Sequence, residues 1–325
     1  MKFRGTFTDR GARVLEKAFL PTAEKFGKTC QLLITPEQFC IVQTQVNSAG
    51  AHVCARINTD VLFEPGSFSV MSRHHNLIAF SADVGLLLKV LRSASGNDTE
   101  RLEAKLVQKP VPVPGQDTPT QMPFMSFTAR GASVCIVQDL PISKPFSPAE
   151  IDAVAAAKSV AAYAPLYLDL ACGGPRLQAV IDRLRSIGPV LRLATCKNGD
   201  LHIQVNATNV MLGAQLQGLG VVPAGTTFDP NVVDRAATAE EQLQAALAAG
   251  EAVVANLAVK HVAKVLGVSQ LSTPHQILCG ISQNRGHVHI MFIFRDPTSA
   301  AAFDDSLELS FKLPTQMEDD DDDDE

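Results

Sequence analysis

Residues 1 to 35 constrain this chain most, because they switch between the two periods that separate strands from helices. Met1 to Asp9 (MKFRGTFTD) alternates, with Phe3 and Phe7 on one face and Lys2, Arg4, Thr6 and Thr8 on the other, as a strand requires. From Gly11 to Phe26 the apolar residues Val14, Leu15, Ala18, Phe19, Ala23 and Phe26 recur at spacings of three and four, which places them on one side of a helix. Arg13 and Lys17, four apart, share a different side, with Lys25 further along. Pro21 falls inside this helix and is expected to kink or split it, since it lacks an N–H and its ring crowds the preceding turn. Lys28 to Thr35 reads as the next strand. The unit is therefore a sheet carrying a helix, with the helix showing cations outward.

The same unit recurs. After strands at 39–46, 52–58, 67–72 and 76–82, a second helix is predicted over Asp83 to Ser93, capped by Ser81 or Asp83, with Val84, Leu87, Leu88 and Leu91 inward and Lys89 and Arg92 three apart. Three more strands follow at 101–108, 122–130 and 133–139, interrupted by a Pro-rich surface loop at 110–123. Ser143 to Pro165 is Ala-rich and lacks a bulky apolar stripe. It contains a capping box at Ser147 to Glu150 and reads as a connector. The second half then repeats the first. A strand at 165–171 leads to a helix over Gly174 to Ile187 bearing Arg176, Arg183 and Arg185. A hairpin turns on Asn198-Gly199, and another strand covers 210–217. A peripheral Ala-rich insertion at 226–250 carries a second capping box, Thr238 to Glu241. A strand at 251–259 runs into a short helix over Val259 to Val268 bearing Lys260 and Lys264, and strands at 276–283, 286–294 and 306–313 close the half. The expected organisation is α+β, with two similar domains at 1–142 and 165–314, a connector at 143–164 and an acidic, disordered tail at 315–325.

Charge is divided unevenly. The formal net charge is −6, but Glu318 to Glu325 (EDDDDDDE) supplies eight acids, so the rest of the chain is slightly basic. The four helical segments carry ten cations (Arg13, Lys17, Lys25, Lys89, Arg92, Arg176, Arg183, Arg185, Lys260 and Lys264) against the acids Glu16, Glu24, Asp83 and Asp182. A basic helix layer suits a polyanion reached through its phosphates, without base readout. The plain alternative is the solvated face that any amphipathic helix presents.

Other chemistries find little support. The N-terminus opens on charges and Thr rather than an apolar run, so no signal peptide is expected, and no apolar stretch approaches a membrane span. Seven scattered cysteines, with Cys30, Cys40, Cys54 and Cys135 inside predicted strands, suit buried free thiols in a reducing compartment. Gly27-Lys28-Thr29 imitates the end of a phosphate loop, yet position 22 is Thr where Gly is needed. His74-His75 and His287-x-His289 have no carboxylate or thiol at ligand spacing and read as surface or groove histidines. Cys172-Gly173-Gly174 precedes a helix but has no evident general base, and reads as a turn. No active site, metal or cofactor is expected.

At this point the order of residues is familiar. MKFR at the start, Lys28-Thr29-Cys30 with Leu32, Ile34 and Pro36, and Asp139-Leu140-Pro141-Ile142 resemble the Hus subunits of the nine-one-one checkpoint clamp. So do the hairpin closing on Asn198-Gly199-Asp200-Leu201, the Leu-Gly-x-x-Pro at 219–223 and the Val-Lys-x-x-x-x-Leu helix at 259–266. The resemblance covers most of 1–314. It implies a sliding-clamp fold similar to PCNA, in which two domains each place two helices inside a ring around duplex DNA. It further implies a nuclear heterotrimer with two other checkpoint-clamp subunits, put on double-stranded DNA by a clamp loader at damage sites, which recruits repair enzymes and checkpoint signalling proteins. Arg13, Lys17, Lys25, Lys89, Arg92, Arg176, Arg183, Lys260 and Lys264 are then the expected DNA-facing residues. A homotrimeric replication processivity clamp is the nearest alternative, and a small-molecule enzyme a more distant one.

Overall fold

The computed structural model describes residues 1–46, 50–95, 99–112, 118–159, 164–207, 210–222, 238–271, 273–294 and 306–316. Parts of several expected segments lie outside the described residues: 47–49 of the first hairpin connection, 113–117 of the Pro-rich loop, 160–163 of the connector, 226–237 of the insertion and the acidic run from 318 onward. The chain forms two compact units. The first comprises Met1–Ser48, His52–Val160 and Arg295–Leu309, and the second Ala49–Ala51, Ala161–Phe294 and Ser310–Glu325.

The first unit opens with β1 (Lys2–Phe7) and a helix in three pieces: α1 (Asp9–Val14), a π-helical turn (Leu15–Phe19) and α2 (Leu20–Phe26). Pro21 is the cause of the split. It sits in the first turn of α2, where its missing N–H is harmless, and the wider π turn gives its ring room. Thr22 Oγ1 donates to the Ala18 carbonyl at 2.6 Å and satisfies an acceptor there. The helix starts two residues earlier than expected, because Thr8 Oγ1 accepts from the Gly11 amide at 3.0 Å and caps it. Thr6 is buried rather than outward, and Glu16 is buried as well, only 5% exposed.

Next come β2 (Thr29–Ile34), β3 (Gln38–Val46), β4 (Ala51–Asn58), α3 (Thr59–Leu62), β5 (Ser69–Met71), β6 (Ile78–Asp83) and α4 (Val84–Ser95). Asp83, not Ser81, caps α4, its Oδ1 accepting from the Leu86 amide at 2.8 Å. β7 (Thr99–Val111), β8 (Thr120–Gly131) and β9 (Cys135–Pro141) complete a five-stranded sheet in the order β5-β1-β7-β8-β9, while β6-β2-β3-β4 run in a second sheet. The stretch expected to be a Pro-rich loop is shorter than 110–123, since β7 extends to Val111 and β8 starts at Thr120. Between the sheets and helices lie Phe3, Phe7, Phe39, Phe63 and Phe127 with Leu15, Phe19, Leu88 and Leu91. Cys135 is exposed, against expectation, because β9 is the edge of its sheet.

The connector is also more than a link. α5 (Pro148–Ser159) has its capping box, with the Ser147 amide donating to Glu150 Oε2 at 2.7 Å, and it buries Ile151 and Val154 against Leu33, Cys40, Val42, Cys54 and Ala79. Two residues one turn apart are enough to dock a helix on a sheet, though too few to show as a stripe.

The second unit repeats the plan: β10 (Tyr167–Asp169), a 3-10 turn (Ala171–Gly173), α6 (Gly174–Leu184), β11 (Val190–Cys196), β12 (Leu201–Ala207), β13 (Val210–Leu216) and β14 (Gly220–Val222). Then come α7 (Ala239–Ala248), β15 (Ala252–Ala258), α8 (Val259–Leu266), a 3-10 turn (Gly267–Gln270), β16 (Gln276–Ile281), β17 (His287–Ile293) and β18 (Leu307–Pro314), of which Leu307 to Leu309 belong to the first unit. Strands run β14-β10-β16-β17 in one sheet and β13-β12-β11-β15 in the other. Leu177, Ile181 and Leu184 of α6 and Val262 and Leu266 of α8 are buried, while Val180 is only half-buried. The Asn198-Gly199 turn forms as expected. Gly199 has φ +86°, and a Cβ there would stand 2.4 Å from the Leu219 carbonyl oxygen, so no other residue fits.

α7 is not peripheral. Its capping box at Thr238 and Glu241 is complete, and Leu243 packs on Ala194, Cys196 and Ala252. Polar pairs tie its start to the sheet: Gln204 donates to Glu240, and Gln215 Nε2 to Gln242 Oε1 at 2.9 Å. His202 is buried on this side of β12. Burial holds its pKa below the usual value, while Asp200 and Glu240 pull the other way. A histidine with a depressed folded pKa takes up its proton first in the unfolded state. Stability is therefore undiminished above about pH 6.5 and falls as pH drops from there toward the folded pKa. The urea midpoint is expected to fall between pH 7.5 and 5.5, and to fall less in His202→Gln. An identical pH profile in that variant would remove His202 as a cause.

Candidate nucleic-acid interface

In the first unit α2 packs against α4, and α4 also meets the π turn. Burial of Leu15, Phe19, Ala23 and Phe26 beneath one helix and of Leu87, Leu88 and Leu91 beneath the other leaves Arg13, Lys17, Lys25, Lys89 and Arg92 exposed. In the second unit α6 packs against α8, leaving Arg176, Arg183, Arg185 and Lys260 exposed and Lys264 half-buried. Five of the nine expected residues thus lie on one helix pair and four on the other.

The local electrostatics refine this. Lys17 Nζ lies 2.6 Å from Glu16 Oε1, so much of its charge is already answered by a buried carboxylate. Two residues gained at the start of α1, Asp9 and Arg10, offset each other. Glu24 is exposed, and its Oε1 comes within 3.0 Å of where a Cβ on Gly85 would stand, beside the first turn of α4. There the helix dipole favours a negative charge. Asp182 accepts from Gln178 Nε2 at 3.0 Å. On α8, burial and then the charges of Lys260 and Lys264 hold His261 below its ordinary pKa, so it is neutral at pH 7 and those lysines set the charge of the face.

Sequence reasoning missed one neighbour. A hollow of about 340 Å³ opens between α1 and the start of β7, lined by Arg13 and Lys17 and also by Arg101, with Asp9, Glu16 and Glu100. Arg101 sits on a strand, apart from the four basic helices. The alternation over 101–108, which puts Arg101, Glu103 and Lys105 on one face, was the available signal.

The other chemistry-bearing residues stay apart. His289, expected at a surface or groove, is buried, with Nδ1 3.0 Å from the Tyr167 hydroxyl. His74 Nε2 lies 2.8 Å from Asp152 Oδ1. Burial pushes the thiols of Cys30, Cys54, Cys196 and Cys279 up to about 12, far from a nucleophile's range. Among the described residues no three of His, Cys, Asp and Glu converge as metal ligands.

The model of the Hus1-like protein family matches residues 1–309. The checkpoint protein hus1 homolog of Dictyostelium discoideum is 25% identical over 282 residues, covering 86% of this chain and 90% of the relative. Among solved structures, PCNA from Thermococcus kodakaraensis superposes with a TM-score of 0.61 at 14% identity, covering 97% of this chain and 100% of that one. The proliferating cellular nuclear antigen of Entamoeba histolytica gives 0.61 at 11% identity, covering 97% and 99%. The chain belongs to the Hus1-like family of checkpoint proteins, and its fold is that of the PCNA sliding clamps.

Proposed function

We propose that this chain is a non-enzymatic subunit of a heterotrimeric checkpoint clamp that encircles double-stranded DNA at damage sites and supports checkpoint signalling and repair in the nucleus. The observation that carries the reading is the exposure of cations on both helix pairs of a clamp fold. Arg13, Lys25, Lys89, Arg92, Arg176, Arg183, Lys260 and Lys264, with Lys17 partly neutralised, meet the phosphates and read no bases. Two clamp domains, 1–142 and 165–314, supply one helix pair each. The partners are two related subunits, a clamp loader, repair enzymes and checkpoint signalling proteins.

Two sheet edges support ring closure. β9 is the end strand of one sheet and shows Val137, 57% exposed, and Cys135. β13 is the end strand of another and shows Val210, Met211 and Leu212 in succession, Met211 being 62% exposed. Long apolar edges are normally blunted unless another chain adds to them. A chain with two such edges can also close on copies of itself, which keeps the homotrimeric clamp as the second reading. Affinity purification of the tagged protein from its own cells separates them. Two other clamp-like chains in equal amounts support the heterotrimer, self-copies alone support the homotrimer, and a lone monomer overturns both.

A further inference from the structure

The solvent face of the sheet β5-β1-β7-β8-β9 is unusually basic. Pairing sets Arg4 opposite Lys105 and Arg101 opposite Arg130, while Lys2 precedes Arg4 on the same face of β1 and Lys109 follows Lys105 on β7. The strands β1, β7 and β8 hold six cations: Lys2, Arg4, Arg101, Lys105, Lys109 and Arg130. Acids answer two of them, Glu103 pairing with Arg4 at 2.9 Å and Asp139 with Lys109 at 2.5 Å. Lys2, Lys105 and Arg130 are exposed and make no ion pair among the described residues. Solvation alone does not demand this. The strands β10, β14, β16 and β17 repeat the topology of β1, β5, β7 and β8 in the second unit, and they contain no Lys or Arg at all.

The stripe is also continuous with the helix face. Arg101, whose guanidinium donates to Thr6 Oγ1 at 3.1 Å, lines the same hollow as Arg13 and Lys17. From there Arg130, Lys105 with Arg4, and Lys2 follow along the sheet, same-face neighbours on a strand being about 6.8 Å apart.

We propose that this stripe is a track for a single strand of nucleic acid, running from the hollow at Arg13, Lys17 and Arg101 across the sheet face past Arg130, Lys105, Arg4 and Lys2. The proposal extends the reading of the helix face as a phosphate-binding surface and rests on it for its starting point. A hollow of about 340 Å³ receives one phosphate and its sugar but not a duplex. Between the cations stand Thr128, a half-buried hydroxyl of the kind that bonds phosphate oxygens, and Glu103, which is turned to Arg4, while Thr6 and Ser126 on the same face are buried. The exposed apolar residues of this face, Met71 opposite Lys2 and Val137 opposite Thr128, lie on the end strands β5 and β9, not at the centre, where a stable protein partner needs its anchor.

The test uses the full chain and a fluorescein-labelled oligothymidine, read by anisotropy across a salt series. Lys105→Glu with Arg130→Glu is expected to weaken binding about tenfold and to lower the slope of log affinity against log salt by about 1.4, two single-strand phosphate contacts' worth. Lys105→Gln with Arg130→Gln, which keeps the stems, should weaken it less and in the same direction. Unchanged affinity in the Glu variant overturns the track, and so does displacement of the oligothymidine by a polyglutamate peptide of equal charge, which would make the face a site for acidic protein. A helix variant, Lys25→Glu, Lys89→Glu, Arg183→Glu and Lys260→Glu, separates the two readings. If it leaves duplex retention intact, the helix reading fails; if only the stripe variant is silent, the track alone fails.

Discussion

Reversing Lys25, Lys89, Arg183 and Lys260 to glutamate is expected to shorten retention of the assembled ring on closed circular duplex DNA by about a thousandfold at physiological salt. Each phosphate contact releases condensed counterions and contributes about 0.9 to the slope of log affinity against log salt, so losing four lowers that slope by about 3.6. Reversal adds repulsion to the loss, which is why the effect exceeds that of neutral substitutions. All four residues are exposed on their helices and none supports the core, so thermal stability should change little. Two come from each helix pair, so a result confined to one pair would assign the DNA to one domain. Retention equal to that of the unaltered ring, at matched salt, would reduce these cations to an ordinary solvated helix face.

Much of this was legible because it depends on short-range rules. Period and capping placed α4 and both capping boxes, and Asp83, Ser147 and Thr238 act as foreseen. Pro21 announced the break in the first helix, though not that a π turn would absorb it. What stayed hidden depends on partners distant in sequence. α5 looked like a linker because Ile151 and Val154 are its only large buried residues, and their significance comes from Leu33, Cys40 and Cys54 beneath them. Lys17 looked like a free cation because nothing local says that Glu16 is turned inward. α3 and β14 are too short to show a period. The basic stripe needed the register of three strands, which sets Arg101 beside Arg130 and Arg4 beside Lys105. Family and checkpoint role rested on the order of many weak matches, since no single motif here carries chemistry.

Arg56→Ala is expected to destabilise the protein by about 3–5 kcal/mol. Arg56 on β4 pairs with Glu308 on β18 within the first unit, where the Asn58 amide also donates to the Ser306 carbonyl at 2.8 Å. Glu308 is 4% exposed; one carboxylate oxygen bonds Arg56 and the other, Oε1, is buried with no hydrogen-bond partner. Burial opposes the charge on Arg56, but Glu308's charge and hydrogen bond outweigh it and raise the guanidinium pKa. Removing Arg56 leaves a carboxylate in a low-dielectric site with its one good partner gone. The carboxylate then bears the full cost of desolvation with no counter-charge beside it. Urea unfolding of variant and parent at pH 7 reads the loss directly, as a gap between their midpoints. Arg56→Met with Glu308→Leu should recover most of the loss, because an apolar pair of similar volume carries no desolvation penalty. A gap that the double variant does not close would mean that Arg56 acts through the packing of its stem and not as the counter-ion of Glu308.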